Sequence, residues 1–283
     1  MIICKTIDSL QAVLKPLSKM NEGIGFVPTM GALHEGHLSL IGSSKKNSGT
    51  TVCSIFVNPT QFNDAKDFEK YPITIQNDIV LLEAAQCDVL FLPSVAEIYP
   101  EELVTNHHYE LGFIETVLEG SHRPGHFQGV CQVVQRLLAI VQPNEIFLGQ
   151  KDYQQCMVIK KLTTLLGLDA TNVIIGKTVR ETSGLAMSSR NMRLSDADKQ
   201  RATAVFTVLN YVKQNIQSGP LSHLLFNAQD QIRSAGFEKI DYVAICNAST
   251  LEPIANWDGK EKLVVLVAAF LSGVRLIDNM VIN

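Results

Sequence analysis

The chain has 283 residues, 46% hydrophobic and 18% charged, with a formal net charge of −4. That length suits about two domains, and the composition is that of an ordinary globular protein. The acidic balance excludes the clustered Lys and Arg footprint of an extended nucleic-acid surface. The longest apolar run, Leu263–Leu271, is too short to cross a bilayer, so no membrane partner is expected. MIICKTIDSL lacks the basic-then-apolar pattern of a signal peptide. Cys4, Cys53, Cys87, Cys131, Cys156 and Cys246 lie far apart with no C-x-x-C, as small buried hydrophobes in a reducing cytoplasm would.

Taken in order, the elements alternate. Ile2–Thr6 suits a short strand, and Asp8 is placed to cap a helix running to about Met20. Ile24–Pro28 is a buried strand, Gly31 lies in a tight loop, and a run of helix formers begins at His37 and continues through Lys46. Thr51–Val57 is a strand followed by the loop NPTQF. Ile75, Ile79 and Leu82 repeat at helical spacing before the strand Asp88–Leu92. Glu119–Val130 is glycine-rich and reads as an active-site loop; helical spacing resumes from Val130 to Val141. Glu145–Leu148 is a strand, Gly149-Gln150-Lys151-Asp152 opens a helix to about Gly167, and Asn172–Gly176 is the last strand of this half. Such alternation predicts right-handed β-α-β units and a parallel sheet that binds ligands at its carboxyl edge.

A boundary near Gly176 divides residues 1–176 from a smaller α+β unit, 177–283. The latter opens with a ligand loop, Lys177–Asn191. Ser195 then caps a long helix over Asp196–Gln217, Gly219-Pro220 ends it, and a helix Leu221–Ala235 and strands Tyr242–Cys246 and Leu263–Leu271 follow.

The stretch GFVPTMGALHEGHLS, Gly25–Ser39, is strand, glycine loop and helix start, the geometry that presents unpaired N–H groups and a positive dipole end to an anion. His34 and His37 are three apart, so one turn brings both imidazoles to that end. Gly31-x4-Gly36 imitates a P-loop but is followed by His37 instead of Lys, and no G-x-G-x-x-G follows the strand. Taken alone, two histidines at a turn equally suit a surface pair or half a metal site.

The motif resembles the H-x-G-H signature of the nucleotidyltransferase superfamily. With SIFVNPTQF, YP at Tyr71-Pro72, EIYP at Glu97–Pro100, RPGHF at Arg123–Phe127, GQKDYQQ at Gly149–Gln155, GLAMSSRN at Gly184–Asn191 and RLIDN at Arg275–Asn279, the whole chain is similar to the pantoate–β-alanine ligases. The resemblance implies a Rossmann-like nucleotidyltransferase domain with a C-terminal lid, and pantoate, β-alanine and ATP as substrates joined through a pantoyl adenylate. It further implies Mg2+ and a homodimer. A nucleotidylyltransferase acting on a phosphorylated alcohol is the alternative.

By the same resemblance His34, His37, Lys151 and Arg190 are catalytic. ATP contacts fall on Met30, Gly31, Ala32, Leu33, His34, Glu35, Gly36 and His37, on Gly149, Gln150, Lys151 and Asp152, and on Val179, Met187, Ser188, Ser189 and Arg190. Gln61 and Gln155 match pantoate contacts, Gln61 also a β-alanine contact, and Met30 and Phe62 suit apolar walls. Arg123 faces either a substrate anion or a structural ion pair. The family's metal contact falls on Asn77 or Asp78, of which Asp78 carries charge. Gln150, Gln128 and Ser183 depart from the family's usual Glu, Arg and Asp.

Overall fold

The computed structural model describes residues 1–19, 23–62, 65–100 and 107–282, which form two compact units. The first comprises Met1–Gln150 and Gln155–Lys177, the second Lys151–Gln154 and Thr178–Asn283. The division thus falls just after Lys177, and it also assigns the four-residue segment carrying Lys151 to the second unit.

Six parallel strands make the first unit: β1 (Ile2–Cys4), β2 (Ile24–Thr29), β3 (Thr50–Ile55), β4 (Val89–Phe91), β5 (Glu145–Gly149) and β6 (Asn172–Gly176), in the order β1-β4-β3-β2-β5-β6. The longer helices between them are α1 (Ile7–Lys19), α2 (Glu35–Asn47), α3 (Ile75–Ala84), α4 (His126–Val141) and α5 (Tyr153–Leu165). Side chains alternate across a strand, and each central strand sends neighbours to opposite layers. Phe26, Val52, Phe91 and Ile146 join Val134, Leu137 and Leu138 of α4 on one face. Val27, Cys53, Leu90 and Phe147 join Leu40 and Ile41 of α2 and Leu82 of α3 on the other. Each fully buried large side chain contributes roughly 1.5–3 kcal/mol.

Strand order reverses between β2 and β5, where such sheets open a ligand crevice. Pro28 sets where it opens. The Ile24 carbonyl accepts from Asn144 on the β5 side and the Thr29 carbonyl from Phe56 on the β3 side, so by alternation position 28 faces β5. Proline has no N–H to donate there. The β2–β5 ladder accordingly holds only Gly25↔Glu145 and Phe26↔Ile146, whereas β2 pairs with β3 from Ile24 to Thr29.

Local chemistry moves several expected boundaries. Thr6, not Asp8, caps α1, its hydroxyl accepting the Ser9 N–H at 3.2 Å; Met20 lies outside the described residues. α2 begins at Glu35, two residues before His37. The expected loop Glu119–Val130 instead forms a short helical turn at Glu119–His122 and the first turn of α4, entered through Gly125 at φ +78°. Gly129 lets α4 lie against the NPTQF turn, for a Cβ there would sit 2.4 Å from the Thr60 carbonyl oxygen.

The second unit holds an antiparallel sheet of β7 (Lys239–Asn247), β8 (Leu263–Leu271) and β9 (Val274–Ile282), with β8 central. The β8–β9 hairpin turns through Ser272 and Gly273, both left-handed, as a two-residue turn requires. β9 has no counterpart in the sequence expectation. Its other helices are α6 (Asp196–Ala202), α7 (Ala204–Asn215) and α8 (Ser222–Ser234); Ser195 caps α6 as expected, and the single long helix expected over Asp196–Gln217 breaks at Thr203. Val265, Val267 and Ala269 of β8 pack with Val208 and Leu209 of α7, Ile232 of α8 and the chain's only tryptophan, Trp257. Among the described residues no helix is long and apolar enough to cross a membrane. All six cysteines are buried thiols outside any disulfide.

Candidate active site

The carboxyl end of β2 runs directly into the glycine loop. Gly31 has φ +81° and Ala32 φ +49°, left-handed values that turn the chain sharply towards α2. His34 is the N-cap of α2 with extended backbone, and the earlier helix start gives it a role the sequence did not assign. Its Nδ1 accepts the Gly36 N–H at 3.2 Å, while His37 Nδ1 accepts the His34 N–H at 3.4 Å. This is a capping box built from two imidazoles. The ring centroids lie 4.1 Å apart. A ring nitrogen that accepts an N–H carries no proton, so both neutral imidazoles bear theirs on Nε2. The fold thereby orients two Nε2–H donors at a helix N-terminus.

Beneath this loop lies Asp78, in the first turn of α3 and wholly buried. Oδ2 accepts the Ala32 N–H at 3.0 Å; Oδ1 accepts the Leu33 N–H at 2.8 Å and the Thr74 hydroxyl at 3.0 Å. Asp78, on which the family's metal contact would fall, thus has both carboxylate oxygens engaged by protein donors. The carboxylate faces backbone donors inside the protein and holds the loop in its left-handed turn. Asn77 neighbours it on the same helix.

Gln61 follows the carboxyl end of β3, in the short 3-10 turn Pro59–Gln61. Its Nε2 donates to Met30 Sδ at 2.9 Å and its Oε1 accepts from Asn58 Nδ2 at 3.3 Å, which brings Gln61 and Met30 together. Asn58, buried and unassigned by the sequence reading, organises this turn. Its Oδ1 accepts from Thr60 N, Thr60 Oγ1 and Tyr99 OH, and its Nδ2 also donates to the Gly129 carbonyl. Its place inside NPTQF was the available signal. Met30 and Gly31 also line a cavity of about 240 Å³ at the ends of β2, β3 and β4, with Phe56, Val57 and Thr74. Phe62 packs edge-on against Phe68 and Tyr71.

Arg123 makes an ion pair within the protein. Its Nη1 lies 3.5 Å from a carboxylate oxygen of Glu119 and 3.0 Å from His126 Nε2. Gln128, where the resemblance implies an Arg, accepts the Tyr109 N–H at 2.9 Å and donates to Glu115 at 2.8 Å, a pairing no guanidinium could make because it cannot accept. Gly149 ends β5, Gln150 begins the turn after it, and Gln155 is half-buried in the first turn of α5.

In the second unit, Asn279 Nδ2 donates to the Lys151 carbonyl at 2.8 Å and Tyr153 OH to the Ala248 carbonyl at 2.7 Å, which is why Lys151–Gln154 belongs here. Lys151 Nζ lies 3.6 Å from Asp152. Met187 N–H donates to the Val179 carbonyl at 3.0 Å, and Ser188 caps the turn Ser189–Arg193 by accepting the Arg190 N–H at 3.3 Å. Ser189 is buried, Arg190 half-buried, and Asn191 braces the loop through Glu181 and the Ala186 carbonyl. Ser183 is exposed. Arg180 donates to both oxygens of Asp278 and stacks on Phe206 at 4.2 Å. Burial pushes the Asp278 carboxyl up, against the pull of Arg180.

A reversing parallel sheet with an imidazole-capped helix at its carboxyl edge defines an α/β enzyme of the H-x-G-H nucleotide-handling class. A model of the family described as "Pantoate-beta-alanine ligase" matches residues 2–281. A protein named pantothenate synthetase from Cytophaga hutchinsonii is 42% identical over 100% of this chain and 99% of its own. Another so named, from Magnetococcus marinus, is 46% identical over 93% and 90%. Among solved structures, pantothenate synthetase from Thermus thermophilus superposes with a TM-score of 0.90 at 38% identity, covering 99% of both chains. A pantoate–β-alanine ligase from Francisella tularensis, complexed with β,γ ATP and β-alanine, gives 0.81 at 38% identity, covering 99% of this chain and 97% of that one. The chain belongs to the pantoate–β-alanine ligase family and is a ligase.

Proposed function

We propose that this chain joins pantoate to β-alanine in two steps driven by ATP. The pantoate carboxylate attacks the α-phosphorus; the bond to the bridging oxygen breaks and pyrophosphate leaves. The β-alanine amine then attacks the acyl carbon of the mixed anhydride, loses a proton, and expels AMP, leaving the amide. Both reactants of the first step are anionic, so positioning and charge neutralisation carry the catalysis.

The reading rests above all on the reciprocal cap of His34 and His37. It supports two Nε2–H donors held for charge that develops on the phosphoryl oxygens, a role worth roughly 3–4 kcal/mol per donor. Lys151 supplies a compact charge to phosphate. Ser188, Ser189 and Arg190 serve the triphosphate, Met30–Gly36 and Gly149–Asp152 with Val179 and Met187 the nucleotide, and Gln61 and Gln155 the pantoate. Magnesium, when bound, neutralises phosphate oxygens. Among the described residues no group of three His, Cys, Asp or Glu could hold a metal, and Asp78 is engaged below the loop, so substrate oxygens and water would hold the ion. A homodimer follows from the family resemblance, and a cytoplasmic location is in keeping with six far-spaced, buried cysteines and no C-x-x-C.

Isotope exchange tests the order of steps. Labelled pyrophosphate should exchange into ATP with pantoate and Mg-ATP alone, and β-alanine should then discharge the intermediate to AMP and pantothenate. An enzyme adenylating a phosphorylated alcohol would show no pantoate-dependent exchange. Exchange that strictly requires β-alanine would overturn the two-step order.

A further inference from the structure

The motif RPGHF has no part in the chemistry above, yet two of its side chains converge on one backbone atom of the substrate loop. His126, at the start of α4 and 5% exposed, places Nδ1 2.8 Å from the Gln61 carbonyl oxygen. Arg123 Nη2 reaches the same oxygen at 3.4 Å, and Arg123 Nη1 lies 3.0 Å from His126 Nε2. These contacts fix every proton. A carbonyl oxygen can only accept, so Nδ1 carries the hydrogen; a guanidinium can only donate, so Nε2 carries none. Glu119 balances the arginine's charge.

We propose that His126 is a positioning residue for substrate binding, held by Arg123 as the Nδ1–H tautomer so that it clamps the Gln61 carbonyl and aims the Gln61 amide. The proposal rests on the reading of Gln61 as a pantoate contact. Three further observations make the clamp directional. The Gln61 amide is tethered to Asn58 and to Met30 Sδ and its carbonyl to His126, so the residue is held at both ends. Asn58 also holds the Gly129 carbonyl, one turn along α4 from His126. The helix can approach this closely because position 129 has no side chain. His126 is thus the third point, after the Asn58–Gly129 hydrogen bond and the approach of Gly129 to Thr60, at which α4 meets the turn. In this proposal Arg123 acts through His126 and the Gln61 carbonyl.

The two amide side chains separate the ring's nitrogens. An asparagine amide reaches where Nδ1 lies, and a glutamine amide where Nε2 lies. His126→Asn should keep the donor to Gln61 and leave the KM for pantoate near wild type. His126→Gln should raise that KM about tenfold, the loss of one good hydrogen bond, with the KM for ATP unchanged. Equal pantoate KM values in the two variants would overturn the proposal. Nitrogen-15 NMR of the wild-type protein needs no variant to fold: it should show His126 with an unprotonated Nε2, and a protonated Nε2 would equally overturn it. Gln61→Ala separates the two layers of the argument. An unchanged pantoate KM there refutes the reading of Gln61 and with it the substrate half of the proposal. A raised KM in Gln61→Ala beside an unchanged one in His126→Gln refutes the proposal alone.

Discussion

Replacing Asp78 by Asn should damage the glycine loop after β2 without touching any of the proposed phosphate contacts. The wild-type carboxylate accepts from Ala32 N, Leu33 N and Thr74 Oγ1 at 2.8–3.0 Å in a wholly buried site. Asparagine keeps one acceptor oxygen and turns an NH2 group towards one of the two backbone N–H groups. A hydrogen bond to a charged acceptor contributes about 1.5–3 kcal/mol, so losing one should cost roughly that much stability. For a unit of this size the melting temperature should fall by about 3–12 °C. Released from the carboxylate, Ala32 can relax from its left-handed φ, and the cap at His34 moves with it, so kcat/KM for ATP should fall at unchanged magnesium requirement. Ala32→Gly in the Asp78→Asn background should recover part of the loss, since glycine holds φ +49° without the strain of a Cβ. Differential scanning calorimetry and steady-state kinetics with ATP and Mg2+ varied separately provide the readout. An Asp78→Asn protein with wild-type melting and ATP kinetics but a raised Mg2+ requirement would refute the reasoning and restore the metal role.

His37→Ala should lower kcat about a hundredfold or more if, as proposed, its donor serves charge present mainly in the transition state, and should also lose the cap to the His34 N–H. His37→Asn, whose oxygen can still accept that N–H, should recover the melting temperature but not kcat; recovery of both in steady-state assays would show that the imidazole only caps the helix. Burial pushes the Cys87 thiol up to about 11 and those of Cys131 and Cys246 up to about 12, from an ordinary 9.0. With folded values above the unfolded one, the stability they contribute is complete below pH 9 and is lost as pH rises towards 12. The urea midpoint should therefore fall between pH 8 and 10.5, and fall less in Cys131→Ala; an identical drop in both proteins would contradict the assignment.

What could be read from the sequence was what is local. His34 and His37 meet because three residues make one helical turn, and the strands of the parallel sheet appear as short apolar runs because both faces are covered. Asp78 could not be read that way: besides Thr74, its partners are backbone N–H groups 45 and 46 residues distant, and a main-chain donor has no sequence signature. The start of α4 was hidden by glycine's poor helix propensity, which close approach to the Thr60 carbonyl outweighs at Gly129. β9 was hidden because Asp278 and Asn279 are both buried and break the apolar alternation a strand is recognised by. Each is engaged by a specific partner, Arg180 and the Lys151 carbonyl. Arg123 and His126 were visible as a motif, but charge alone could not say whether the arginine met a substrate or its own helix.

The solitary tryptophan gives this chain a built-in probe. Trp257 is 7% exposed, its indole Nε1 donates to the Glu261 carbonyl at 3.1 Å, and it packs within the second unit's core. Emission from that indole follows the melting of the second unit and is silent about the six-stranded sheet, whereas far-ultraviolet circular dichroism follows both. Superimposing the two unfolding curves therefore distinguishes a single cooperative transition from sequential loss of the units. It would also reveal which of the two limits the lifetime of the enzyme in solution.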